Sequence, residues 1–210
     1  TTPSEPNRLD GHEQAGWVDM YRHNSDTGNY DRTVVAELLD RHAKEILVGD
    51  YNGDGTSELY VALEAEGTEL VVGLRRYIWQ DTAMVEDFTL DLKGKMCRFL
   101  NMADTDGDGV KEIIASTRKA GIFKAWEQDG EWTSKKIIPF YVSSSFEHAT
   151  ACFDWDGDGK DDLFVASDDQ QVMNHFVYNE EKGKYDQTKI GKWSDEKYYV
   201  WGVLPLPAGQ

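Results

Sequence analysis

Residues 50–58 read DYNGDGTSE, residues 104–112 read DTDGDGVKE, and residues 154–162 read DWDGDGKDD. All three fit one pattern, D-x-[DN]-x-D-G-x-x-[DE]. Positions 1, 3 and 5 offer side-chain oxygens, and position 9 offers a further carboxylate. Hard cations such as calcium take roughly six to eight oxygens at flexible distances. The glycine at position 6 (Gly55, Gly109, Gly159) lets the backbone turn back sharply. The carbonyl of position 7 (Thr56, Val110, Lys160) then faces inward as another ligand. Without a cation, carboxylates gathered this closely repel one another. An exposed acidic turn accounts poorly for one such loop and worse for three in phase. The loops therefore predict divalent-cation binding, with calcium ahead of magnesium or manganese.

Charge agrees with this reading. The 210 residues carry 22 Lys and Arg against 39 Asp and Glu, a formal charge of -17. Eleven of those carboxylates lie at positions 1, 3, 5 and 9 of the three loops, and three divalent cations would bring the chain to -11. Such a surface repels nucleic acid and anionic lipid, and attracts cations, basic partners or neutral ligands. No apolar run is long enough to span a membrane. The N-terminal TTPSEPNRLDG has no basic stretch followed by an apolar one, which decides nothing about secretion. Two cysteines, Cys97 and Cys152, are too few for a disulfide framework. They read as two small buried thiols, with a single bridge between inner strands as the alternative.

The loops are not EF-hands. That motif needs a glutamate at position 12 and flanking helices. Position 12 is Val61, Ala115 and Val165. The segments after the loops (ELYVAL, EIIAS, DLFVAS) and before them (EILVG, RFLNMA, ATACF) have the β-branched, apolar character of strands. Loop starts at 50, 104 and 154 give spacings of 54 and 50 residues, a period that argues for a repeat architecture. Each repeat continues into a hairpin: FKAWEQDGEWTSKKI (123–137) lines up with FVYNEEKGKYDQTKI (176–190). RYIWQDTAMVEDFTL (76–90) and VDMYRHNSDTGNYDRTVVAEL (18–38) are looser copies. An inner strand, a metal loop, a second strand and a hairpin make one four-stranded antiparallel blade of a β-propeller.

The quoted motifs GDYNGDGTSELYVA, ADTDGDGVKEIIAS and FDWDGDGKDDLFVA resemble the FG-GAP/VCBS repeat, the calcium-loop blade of integrin α-subunit heads and of many secreted proteins. The resemblance covers roughly residues 45–190. It implies one calcium site from Asp50, Asn52, Asp54, the Thr56 carbonyl and Glu58, with Asn52 a neutral departure that weakens binding. It implies a second from Asp104, Asp106, Asp108, the Val110 carbonyl and Glu112. Asp154, Asp156, Asp158, the Lys160 carbonyl and Asp162 make the third.

The expected fold is all-β: a single β-propeller domain over 1–210 with blades at about 41–92, 93–142 and 143–193. A fourth, composite blade from 1–40 and 194–210 would close the ring with both chain termini, KYYVWGV (197–203) supplying its inner strand. A fragment of a larger propeller, or an open array completed by another chain, stays open beside it. Seven tryptophans and ten tyrosines form a heavy aromatic load. Most such rings pack between blades. Trp155, inside a metal loop, and Trp126 and Trp132, flanking a turn, are the candidate ligand platforms for sugar rings or peptide side chains. No GxSxG, P-loop or GxGxxG occurs, and His12, His23, His42, His148 and His175 share no motif spacing. His148, opening an inner strand, is the one histidine placed to face a central channel.

Two classes of function follow. The first is a calcium-stabilised extracellular module that recognises glycans or proteins or serves a larger assembly, as the lectins and adhesion heads of the resembling family imply. The second is a polysaccharide-acting lyase or hydrolase on the same scaffold. Open surface loops of this type bind calcium at roughly 10⁻⁴ to 10⁻³ M, a range filled outside cells. The expected location is therefore secreted, periplasmic or cell-surface.

Overall fold

The computed structural model describes residues 16–38, 41–65, 70–139, 148–167, 170–193, 200 and 202–205. Its fourteen strands form one two-stranded and three four-stranded antiparallel sheets, and the described residues contain no helix. The hairpin is β1 (Gly16–Asn24) and β2 (Asn29–Leu38). The first blade is β3 (Ala43–Gly49), β4 (Glu58–Leu63), β5 (Val71–Gln80) and β6 (Ala83–Lys93). The second is β7 (Cys97–Ala103), β8 (Glu112–Thr117), β9 (Gly121–Gln128) and β10 (Glu131–Pro139). The third is β11 (His148–Phe153), β12 (Asp162–Ser167), β13 (Val172–Asn179) and β14 (Lys184–Lys192). Each blade is a meander with strands in sequence order.

Burial explains the choice of residues. ELYVAL, EIIAST and DLFVAS, the second strands, are buried at every position; each lies mid-sheet, and the first two have a neighbouring sheet on both faces. The outer strands β6, β10 and β14 are largely exposed and carry the polar residues. The cores lie between sheets. Val18, Ala36 and Leu38 of the hairpin pack on Leu59, Val61 and Leu63 of the first blade. Tyr60, Val72 and Leu74 meet Ile113, Ala115 and Phe123 of the second. Ile114, Ile122 and Ile138 meet Leu163, Val165 and Phe176 of the third. The inner strand β7 adjoins both β3 and β11. Stacked four-stranded meanders with inner strands side by side are the arrangement of propeller blades.

Of the expected composite fourth blade, the described residues show the β1–β2 hairpin as a two-stranded sheet. Residues 1–15 and most of KYYVWGV lie outside the described residues, while Val200 and 202–205 are not in strand. His148 opens β11 opposite Ser167, and its side chain lies outside the described residues. Cys97 and Cys152 are both free thiols, so no bridge joins the inner strands.

Candidate metal centres

Three strand pairs close the acidic loops in identical register: Gly49 faces Glu58, Ala103 faces Glu112, and Phe153 faces Asp162. Each loop then folds around its first aspartate. Asp104 accepts from the Gly107 and Gly109 amides at 2.7 and 2.9 Å, one on each carboxylate oxygen. Asp154 does the same with Gly157 and Gly159, at 2.8 and 3.1 Å. Asp50 accepts from Gly53 and Gly55, at 2.8 and 2.9 Å. The position 5 carboxylate accepts from the amide of position 7: Thr56 to Asp54, Val110 to Asp108, Lys160 to Asp158. These bonds require the left-handed region at position 6 (φ 87, 84 and 88°) and also at position 4, where Gly53, Gly107 and Gly157 have φ of 74, 77 and 78°. The position 4 glycine is visible in every loop, yet the oxygen pattern alone gives no reason for it.

Carboxylate oxygens of Asp104, Asp106 and Asp108 converge within 4.8 Å of one another, as do those of Asp154, Asp156 and Asp158. In the first loop the amide of Asn52 donates to Asp54 Oδ2 at 3.0 Å, so the third position is already tied to the fifth. Asp106 Oδ1 is buried with no hydrogen-bond partner among the described residues. A buried carboxylate oxygen without a donor is costly. Together with an all-oxygen, mainly anionic donor set, it fits a hard divalent cation.

The position 9 carboxylate binds back to the loop. Glu58 accepts from the Tyr51 amide at 2.8 Å, and Glu112 accepts from the Thr105 amide and hydroxyl at 2.9 and 2.7 Å. The third strand of each blade sends a basic residue toward this end of the sheet. Register places Arg76 opposite Tyr60, Lys124 opposite Ile114, and His175 opposite Phe164. Lys124 Nζ bridges Asp106 (2.5 Å) and Glu112 (2.7 Å). His175 Nε2 lies 2.8 Å from Asp162 Oδ2. Arg76 instead turns to Asp87, with its guanidinium over the Phe88 and Trp132 rings. Burial works against the charge on Asp106, but the bonds from Lys124 outweigh it and hold that carboxyl below the usual aspartate range. Burial pushes the Asp162 carboxyl up, against the pull of His175.

Sequence alignment of the hairpins without gaps sets Lys124 against Val177, and so misses His175 as its counterpart. The turn between β13 and β14 is two residues longer than the Asp129–Gly130 turn, which shifts the inner halves of the hairpins while Trp132 and Tyr185 stay matched.

Loop position 2 points at the next blade. Tyr51 is buried, with its ring 4.9 Å from Trp132 and its hydroxyl accepting from the Glu127 amide at 3.0 Å. Thr105 is buried, with Tyr185 of the third blade in hydrogen-bonding reach. Trp155 is 65% exposed. Of the other candidate platforms, Trp132 fills the first inter-blade junction, stacked on Phe88 at 4.2 Å. Trp126 is half-buried under Lys124, 5.3 Å from the ammonium. Neighbouring loops also touch. Asp161 accepts from the Asp104 amide at 2.9 Å and returns its own amide to the Asp104 carbonyl at 2.7 Å. Between the first and second loops there is instead a cleft of about 430 Å³, lined by Val48, Asp50, Met102, Val110 and Lys111.

No curated protein and no solved structure matches the chain. The family model of the FG-GAP-like repeat matches residues 104–165, from the first aspartate of the second loop through the third loop into β12. This is in general a recognition and structural repeat rather than a catalytic one. Residues 104–165 are therefore similar to an FG-GAP-like repeat, and they are set in an all-β chain of propeller-type blades.

Proposed function

We propose that the chain is a calcium-binding extracellular module for recognition or assembly, in which calcium locks the loop between the first two strands of each blade. The observation that carries this reading is the pair of aspartate triads converging within 4.8 Å, one of them with a buried, unpartnered carboxylate oxygen. Asp50, Asn52, Asp54, the Thr56 carbonyl and Glu58 would hold the first ion. Asp104, Asp106, Asp108, the Val110 carbonyl and Glu112 would hold the second, and Asp154, Asp156, Asp158, the Lys160 carbonyl and Asp162 the third. The ion supplies charge neutralisation and a rigid strand-to-strand turn, not chemistry on a substrate. Ligands of this exposure imply affinities of roughly 10⁻⁴ to 10⁻³ M, which calcium satisfies outside cells. Recognition of glycans or proteins then falls to the loops and the exposed rings beside them. The test is retention of the calcium-loaded protein on arrays of immobilised glycans and extracellular proteins. Retention lost in chelator and restored by calcium supports the reading. Retention indifferent to chelator removes calcium from the function.

A further inference from the structure

We infer that the cleft between the first and second acidic loops binds an aspartate residue presented by a partner protein. The junction between the second and third loops shows what such a residue does. Asp161, at position 8 of the third loop, accepts from the Asp104 amide through its carboxylate at 2.9 Å. It also donates its own amide to the Asp104 carbonyl at 2.7 Å. One aspartate thus satisfies both main-chain groups of the position 1 residue in the preceding blade. At the first junction position 8 of the second loop is Lys111, an ammonium where that pairing needs an acceptor. Asp50 takes the place of Asp104, and its main-chain amide and carbonyl have no partner among the described residues. Lys111 makes no hydrogen bond or ion pair among them either.

The space for the missing residue is present. The cleft holds about 430 Å³ between Asp50 on one side and Val110 and Lys111 on the other. Met102 lies against Gly49, where an added Cβ would come within 3.0 Å of its Cε. Val48 and Val110 line the same cleft and are 63% and 49% exposed. A partner's aspartate meets each of these features. Its carboxylate accepts from the Asp50 amide and pairs with the Lys111 ammonium. Its amide donates to the Asp50 carbonyl, and an apolar residue beside it covers Val48 and Val110. A sugar carboxylate lacks the adjoining amide, so the chemistry favours a protein over a glycan. Asp50, Asp54 and Glu58 repel an incoming carboxylate until a cation neutralises them. The inference therefore names a partner for the proposed recognition role and rests on its calcium reading of the first loop.

The probe is the peptide acetyl-Ala-Asp-Val-amide, titrated into the full, isotope-labelled chain in calcium and followed by the amide resonances of Asp50 and Lys111. Saturable shifts at both are expected, and the Ala-Asn-Val counterpart should bind at least roughly tenfold more weakly. Lys111→Ala should lose a similar factor with an unchanged melting temperature. Lys111→Asp supplies the missing acceptor from within, so it should abolish the peptide shifts and raise the melting temperature in calcium. Absence of saturable shifts in the wild type, whether or not calcium binds, overturns the inference. So does equal binding of the Asn peptide, or a Lys111→Asp variant that binds like wild type or melts lower. Acetate or glucuronate binding as tightly as the peptide would also overturn it, because a bare carboxylate would then suffice. Calcium calorimetry on the same samples separates the two readings. Calcium uptake without peptide shifts fails this inference alone, and peptide shifts without calcium uptake fail the calcium reading alone.

Discussion

The second and third acidic loops share a motif and differ in how their charge is balanced. In the second loop Glu112 is buried, and Lys124 bridges Asp106 and Glu112. Asp161 latches the neighbouring loop to Asp104. In the third loop Asp154, Asp156 and Asp158 are all exposed, and the only basic contact to its position 9 carboxylate among the described residues is His175 on Asp162. One loop carries an internal ammonium on two of its proposed ligands and the other leaves its triad open. The motif sets where oxygens gather; the third strand decides what competes for them.

The largest expected effect separates the two position 9 residues. Glu112→Ala takes one of the two carboxylates from the half-buried Lys124 and leaves two buried donors of Thr105 unpaired, and should cost about 3 kcal/mol of stability. Asp162→Ala, beside the weaker partner, should cost about 1 kcal/mol. Chemical denaturation in chelator checks both, and equal costs would erase the distinction. Next comes the ammonium itself. In the second loop calcium must displace Lys124, so Lys124→Met should raise that loop's calcium affinity roughly tenfold, about 1.4 kcal/mol, and leave the third loop unchanged. Competition with a calibrated chelator measures it, and an unchanged affinity would break the comparison.

Much of this was legible in the sequence, for physical reasons. A loop that must offer oxygens at alternate positions and then reverse leaves a fixed string of Asp and Gly. A mid-sheet strand such as EIIAST leaves an unbroken apolar run. Lys124 and His175 were not legible as counterparts, because a cross-strand neighbour depends on register, and the longer turn at 180–183 shifted it by two residues. Nor was the burial of Trp132, since a tryptophan beside an exposed turn reads the same whether it faces solvent or the next blade. The Asp161 latch joins residues 57 apart in the chain through adjacent blades, which no local pattern records.

Smaller effects sharpen the same contrast at loop position 2. Thr105→Ala removes a buried hydroxyl donor to Glu112 and should cost about 1 kcal/mol. Trp155→Ala in dilute solution should change stability by no more than about 0.5 kcal/mol. Paired thermal melts test this, and a large loss at Trp155 would mean that its ring is covered. The smallest effect is a pH dependence. Asp106 is held below its ordinary value of 3.8, so its contribution is present above that value and is lost as pH falls through the lower folded one. Asp106→Asn in chelator should therefore flatten the acid limb of stability by about 0.5 kcal/mol.

The most direct test of calcium-locked blades is calorimetric titration of chelator-stripped protein with calcium, with thermal melts of the same samples. Three ions per chain, one for each acidic loop, and a clear rise in melting temperature are the expected result. No binding heat and an unchanged melting temperature would contradict the account, leaving the loops as acidic turns between strands.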